Sequence, residues 1–129
     1  VNMQSIVLVG LGGFIGSIAR YLLGGLVLQM TAQDRFPAGT FVVNVLGCLV
    51  IGLLAGAFER HPGFGPDVRL FLFTGLLGGF TTFSAFGLET LYLLRRGDTG
   101  IAVLYVLGSV TLGLVAVWLG FKLIEFLPR

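Results

Sequence analysis

Four apolar stretches, near 5–30, 39–58, 68–94 and 100–124, occupy almost the whole of a 129-residue chain. A bilayer core about 30 Å thick takes roughly 20 apolar residues as a helix. In hydrocarbon every backbone N–H and C=O must be satisfied within the protein, which leaves helices and closed barrels as the only spanning forms. Segments of this length and continuity predict an all-α membrane protein with four transmembrane helices, a single domain over 1–129. The connections carry the breakers: "TAQDRFPAG" has Asp34, Arg35 and Pro37, "ERHPGFGPD" has Pro62, Gly63, Gly65 and Pro66, and "RRGDTG" has Gly97 and Asp98. Only 11% of the residues are charged, against 56% apolar, and the mean hydropathy is +1.00. Loops so short and so poor in polar groups do not build a pocket for chemistry on soluble substrates, so the chain reads as no enzyme and its function is expected inside the bilayer. A net charge of +2 from scattered basic residues is no nucleic-acid footprint, which needs a clustered basic face. Cys48 is the sole cysteine, reads as a small packed residue and allows no disulfide within a chain. His61, beside Pro62 and without metal-binding neighbours, reads as an interfacial residue. No cleavable signal peptide is expected, and Met3 is read as the natural start.

Twenty-one glycines call for close helix contact. Gly12 with Gly16, Gly52 with Gly56, and Gly75 with Gly79 have the GxxxG spacing that brings membrane helices together. "VGLGGFIG" imitates a dinucleotide fingerprint, but from Gly10 the third glycine position holds Ile15, and no parallel sheet is available. The basic residues also bear on topology. Arg60, Arg69, Lys122 and Arg129 fall on one side of the membrane, and Arg35, Arg95 and Arg96 on the other. Because the Lys and Arg bias sets orientation, so even a distribution predicts insertion both ways and an antiparallel, dual-topology homodimer. The alternative is that Arg20 or another feature fixes one orientation.

Polar residues within the spans are costly and face the protein interior or a watery cavity. Arg20 shares a face with Gly13, Gly16 and Gly24, so it turns toward partner helices, either to serve conduction or to anchor the helix by snorkelling. Asn44 lies on a small-residue face with Gly47, Cys48, Ile51, Gly52 and Ala55. Its carboxamide either bonds a neighbouring helix or donates to a desolvated anion. Tyr105 and Ser109, one turn apart, either extend a polar track or bond backbone carbonyls. Glu89, beyond Phe86, either sets ion access at a vestibule or pairs with a basic group.

The segment "GGFTTFSAF", residues 78–86, interrupts the third span with two glycines, three hydroxyls and phenylalanines. A helix broken inside a membrane frees backbone groups, which survive only against protein or a water-lined cavity. Carbonyls freed around Gly78 and Thr81 suit a hard cation, and two copies meeting at a dimer axis would complete one cage. Phe83 and Phe86, one turn apart, are able to offer electropositive ring edges to an anion; the plain alternative is packing.

These segments resemble a known family. "GGFIGSIARY", "GTFVVNVLG" and above all "GLLGGFTTFSAFGLET" look like the Fluc (CrcB) fluoride channels, in order along nearly the whole chain. The resemblance implies two inverted copies in a bacterial plasma (inner) membrane, with two fluoride pores and a structural central sodium ion held by third-span carbonyls. Residue by residue, it implies Gly78 and Thr81 as the sodium-binding carbonyls. Phe83 and Phe86 match the pore phenylalanines, Asn44 the pore asparagine, and Tyr105 and Ser109 the fourth-span track. Glu89 and Arg20 match recurrent motif positions. Gly113 departs from members with a hydroxyl residue there. The activity implied is passive, fluoride-selective conduction across the bilayer. Two rivals compete with it: a small dual-topology, proton-coupled multidrug transporter, which needs a carboxylate in its first span where this chain has Arg20, and a noncatalytic scaffold subunit, which leaves the motif near residue 80 without a purpose.

Overall fold

The computed structural model describes residues 2–129, which form four helical spans joined by short connections. The first helix, Met3–Met30, starts where the Asn2 side chain accepts from the Ser5 N–H at 2.8 Å, a side-chain cap on one of the orphan amides. The second, Ala38–Arg60, follows Pro37 and ends with the Arg60 guanidinium donating to the carbonyl of Ile124 on the fourth helix. The third span runs Pro66–Arg95 and opens with Pro66 at its first helical position and Asp67 in the first turn, both suited to a helix N-terminus. It closes at Gly97, whose φ of 84° lets Gly97 and Asp98 donate back to Leu94 and Leu93 at 3.1 and 2.9 Å. That is the six-to-one closure that only glycine adopts without strain. The fourth helix is Thr99–Glu125.

All four spans are long and apolar enough to cross a membrane, and little of their surface is buried within the chain. Side chains such as Phe14, Leu22, Leu104 and Trp118 are left outward, as lipid-facing residues must be. The protein is a multi-pass integral membrane protein.

Glycine faces set the packing. The first helix lies on the leading half of the third span, and the second helix lies on the fourth. A Cβ on Gly12 would come within 2.7 Å of the Leu76 amide nitrogen, and one on Gly79 within 2.7 Å of the Gly13 carbonyl oxygen. On the other contact, a Cβ on Gly56 would meet the Ile124 Cβ at 2.9 Å, and one on Gly120 the Leu53 nitrogen at 2.8 Å. These are backbone-to-backbone approaches that no larger residue permits. The GxxxG pairs thus sit at two separate seams: Gly12, Gly16, Gly75 and Gly79 at one, Gly52 and Gly56 at the other.

The third span is not a continuous rod. Its leading half, after Arg69, widens into π-helical turns over Leu70–Leu77 and regains α geometry at Gly78–Phe80. At Thr81 and Thr82 the chain is fully extended, with φ, ψ of −92°, 157° and −149°, 119°, before helix resumes at Phe83–Arg95. The trailing half packs against the fourth helix through a cluster of Leu93, Ala102 and Tyr105, flanked by Phe36, Phe41, Phe86 and Ile101.

Candidate functional site at the break in the third span

The break follows from local chemistry. Thr81 donates both its N–H and its hydroxyl to the Leu77 carbonyl, at 3.0 and 2.8 Å, which completes the last turn and ends it. Thr82 then caps the next helix, its Oγ1 accepting from the Ala85 N–H at 3.2 Å. Between the two, the main chain of Thr82 has no helical partner. Asn44 supplies one for each group: its Nδ2 donates to the Thr82 carbonyl at 3.0 Å and its Oδ1 accepts from the Thr82 N–H at 2.9 Å. One side chain on the second helix therefore replaces the pairing that a neighbouring strand would give. Gly47, one turn on, leaves room for Phe80, since a Cβ there would stand 3.4 Å from its ring, and for the Thr81 methyl.

Other groups at the break stay open. Among the described residues, no protein donor reaches the carbonyl oxygens of Gly78, Phe80 or Thr81. The Gly79 carbonyl accepts from Arg20 Nε at 3.0 Å, so the first helix also holds the break. Three unpaired carbonyls within four residues are the oxygen donors a hard monovalent or divalent cation accepts.

Two cavities meet at Thr82. One, of 380 Å³, is lined by Asn44, Cys48, Gly78, Thr81, Phe83, Phe86 and Ser109 among others. The second, of 480 Å³, opens toward the first and third connections and takes in Arg20, Arg35, Thr40, Thr82, Glu89 and Arg96. Of the residues singled out in the sequence, Asn44, Gly78, Thr81, Phe83, Phe86 and Ser109 are brought to the first cavity, a lateral groove. Arg20 and Glu89 are in the second, a wide vestibule.

Within the groove, Phe83 stands 84% exposed and Phe86 lies beside it, ring centroids 5.6 Å apart and tilted by 41°. The Ser109 hydroxyl is buried with no protein partner, and the second Nδ2 hydrogen of Asn44 is likewise uncommitted. Groove donors and ring edges therefore face a space that hydrocarbon would satisfy poorly. The Cys48 sulfur packs 3.4 Å from where a Cβ on Gly113 would sit, so Gly113 admits the thiol to this wall.

Tyr105 does not line either cavity. It is fully buried, stacked on Phe86 at 5.0 Å and met edge-on by Phe36 at 5.4 Å, and its hydroxyl donates to Glu89 Oε2 at 2.7 Å. Thr40 donates to Glu89 Oε1, also at 2.7 Å. Glu89 is thus held by two hydroxyls and no base. Thr40 went unremarked in the sequence, and so did the double bond from Asn44 to Thr82. Both depend on contacts between residues 38 or more positions apart, which no periodicity reports.

In chemical terms the arrangement pairs a water-accessible vestibule with a narrower groove of donors and aromatic edges, separated by a pinned, non-helical piece of backbone. A family model described as "CrcB-like protein, Camphor Resistance (CrcB)" matches residues 7–121. Curated relatives span nearly the same length. A protein of Methylobacillus flagellatus named "Fluoride-specific ion channel FluC" is 58% identical over 123 residues, which cover 95% of this chain and 96% of that one. Proteins of the same name from Nitratidesulfovibrio vulgaris and Flavobacterium psychrophilum are 51% and 48% identical, each over 118 residues covering 92% of this chain and 94% of theirs. The match runs from the first glycine face through the whole of the break and almost to the end of the fourth helix, and the chain belongs to the CrcB family that its third-span motif suggested.

Proposed function

We propose that this protein is a fluoride-selective channel that lets fluoride leave the cell passively, as two inverted copies in a bacterial plasma membrane. The observation that carries the reading is the pinned break: Asn44 holds Thr82 open on both main-chain groups beside a groove offering Phe83, Phe86, Ser109 and a free Asn44 N–H. Fluoride binds water strongly, so a path for it must replace that water with closely placed donors and positive ring edges. No bond is made or broken, and no energy-coupling motif is needed. A potential negative inside drives an anion outward by about 2.3 kcal/mol per charge per 100 mV.

The antiparallel pair is supported by the near-even split of basic residues across the two sides of the membrane. Inverted partners bring each groove against a second copy, which makes two pores. A central sodium ion fits the donor set at the break, where Gly78 and Thr81 carbonyls lack protein partners. When bound it supplies charge to hold two breaks together, and it does not itself permeate. The surrounding residues keep those carbonyls aimed: Thr81 by its double bond to Leu77, Arg20 by its bond to Gly79.

Purified protein in liposomes, followed with a fluoride electrode under an ionophore-shunted potassium gradient, tests the reading. Rapid fluoride loss with chloride retained supports it. Equal loss of both, or of neither, overturns it. A cysteine placed at the amino terminus should label from both faces of intact cells; labelling from one face alone removes the inverted pair.

A further inference from the structure

Glu89 is a carboxylate at membrane depth that no base neutralises. Its oxygens accept from Thr40 on the second helix and Tyr105 on the fourth, both at 2.7 Å. Among the described residues it takes part in no ion pair. The other charged or titratable groups facing its cavity are Arg20 and Tyr21 from the first helix, Asp34 and Arg35 from the first connection, and Tyr92 and Arg96 at the end of its own span. Glu89 thus lies at the inner end of a water-accessible vestibule with a proton supply.

An ionised carboxylate only accepts hydrogen bonds, so both hydroxyl hydrogens point at Glu89 and neither is offered to an anion. Tyr105 stacks on Phe86, which lines the groove, so this locked pair borders the passage from vestibule to groove. An anion making that passage meets a like charge flanked by two committed donors. A proton arriving from the vestibule water changes all three groups. The carboxylic acid gains an O–H of its own, loses the negative charge and accepts well at one oxygen only, so either Thr40 or Tyr105 is freed to turn its hydrogen elsewhere.

We propose that Glu89 is a proton-operated positioning residue: ionised, it holds the Thr40 and Tyr105 hydroxyls away from the permeating anion, and protonated, it releases them as donors and ceases to repel. The inference rests on the fluoride-channel reading and adds a regulation to it: acidity on the vestibule side, the condition that drives fluoride into cells as neutral HF, raises the exit rate.

The test is fluoride flux through the full-length protein in liposomes between about pH 7.5 and about pH 5.5, a span approaching the ordinary carboxyl range, with leak through protein-free liposomes subtracted. Flux should rise roughly fivefold or more, the scale of removing one nearby unit charge even in a wetted site. In Glu89→Gln the dependence should vanish, whatever its absolute rate. A second readout needs no conduction: infrared difference spectra on acidification should show a protonated-carboxyl C=O band that is lost in Glu89→Gln and retained in Asp34→Asn. Flux in the wild type that is flat with pH, or a slope that survives in Glu89→Gln, overturns the inference while leaving the channel reading intact. An absent or unassignable carboxyl band overturns it too. Wild-type protein that carries no fluoride at any pH overturns the channel reading instead, and the inference with it.

Discussion

Replacing Asn44 by alanine strips the Thr82 main chain of both partners at once. The Thr82 N–H and C=O have no other protein bond, and both lie part-buried between two cavities. Leaving a buried polar group unsatisfied costs about 1–3 kcal/mol, so the pair sets an upper range of about 2–6 kcal/mol. Water in the adjoining cavities relieves part of this, which places the expected loss near 2–3 kcal/mol. At tenfold per 1.4 kcal/mol, the extended break becomes roughly 30- to 100-fold less populated relative to relaxed alternatives. Amide hydrogen exchange reads this directly: the Thr82 N–H, hydrogen-bonded in the wild type, should exchange faster by about that factor, and fluoride flux should fall with it. Asn44→Asp is the informative companion, because it keeps the acceptor for the Thr82 N–H but sets a carboxylate oxygen against the Thr82 carbonyl at the former bond distance. It should be no better than alanine in flux. Unchanged exchange at Thr82 together with wild-type flux in Asn44→Ala would refute the idea that this side chain holds the break.

Exchanging Phe83 and Phe86 together for isoleucine removes the ring edges from the groove; fluoride efflux should drop at least tenfold, a loss of ~1.4 kcal/mol or more, while size-exclusion behaviour stays that of the wild type, and unaltered efflux would take the rings out of the mechanism. Gly79→Ala forces a methyl to 2.7 Å from the Gly13 carbonyl oxygen, an overpacking that costs about 1–3 kcal/mol; thermal unfolding in detergent should show a lower Tm, whereas Gly87→Ala, with open space around it, should not lower it. Tyr105→Phe keeps the rings stacked on Phe36 and Phe86 but deletes the bond to Glu89; a hydrogen bond to a charged group is worth about 1.5–3 kcal/mol, so the Tm should fall by several degrees, and an unchanged Tm would mean that water replaces the phenol at no cost.

Hydrophobic continuity made the four spans legible almost to their ends, because a bilayer imposes length and apolarity more strictly than a soluble core does. The interruption at residues 78–86 was legible for a related reason: glycines and hydroxyls have no cause to gather in hydrocarbon unless backbone leaves the helix there, and the extended residues are Thr81 and Thr82. Spacing also found the glycine seams, though it did not say which seam faced which helix. What the sequence hid lies in long-range pairing. Asn44 was expected either to bond a neighbouring helix or to donate to an anion, and the structure shows one carboxamide bonded twice to Thr82 with a single N–H to spare. Arg20 was placed toward partner helices by its glycine face, but its target, the Gly79 carbonyl, depends on the depth of the break. Glu89 has two hydroxyls where a basic partner was one of the alternatives. Tyr105 and Ser109 share a face by count, yet the bend of the third span puts Phe86 over the first and leaves the second opening on the groove.

The reversal potential of the reconstituted protein in a planar bilayer, with a tenfold fluoride gradient opposed by a tenfold chloride gradient, tests the central claim most directly. Conduction through donors and ring edges at the broken third span requires the current to reverse near the fluoride equilibrium potential, about 59 mV for a tenfold gradient of a singly charged ion. Reversal near zero or at the chloride potential, or no current at all, contradicts it.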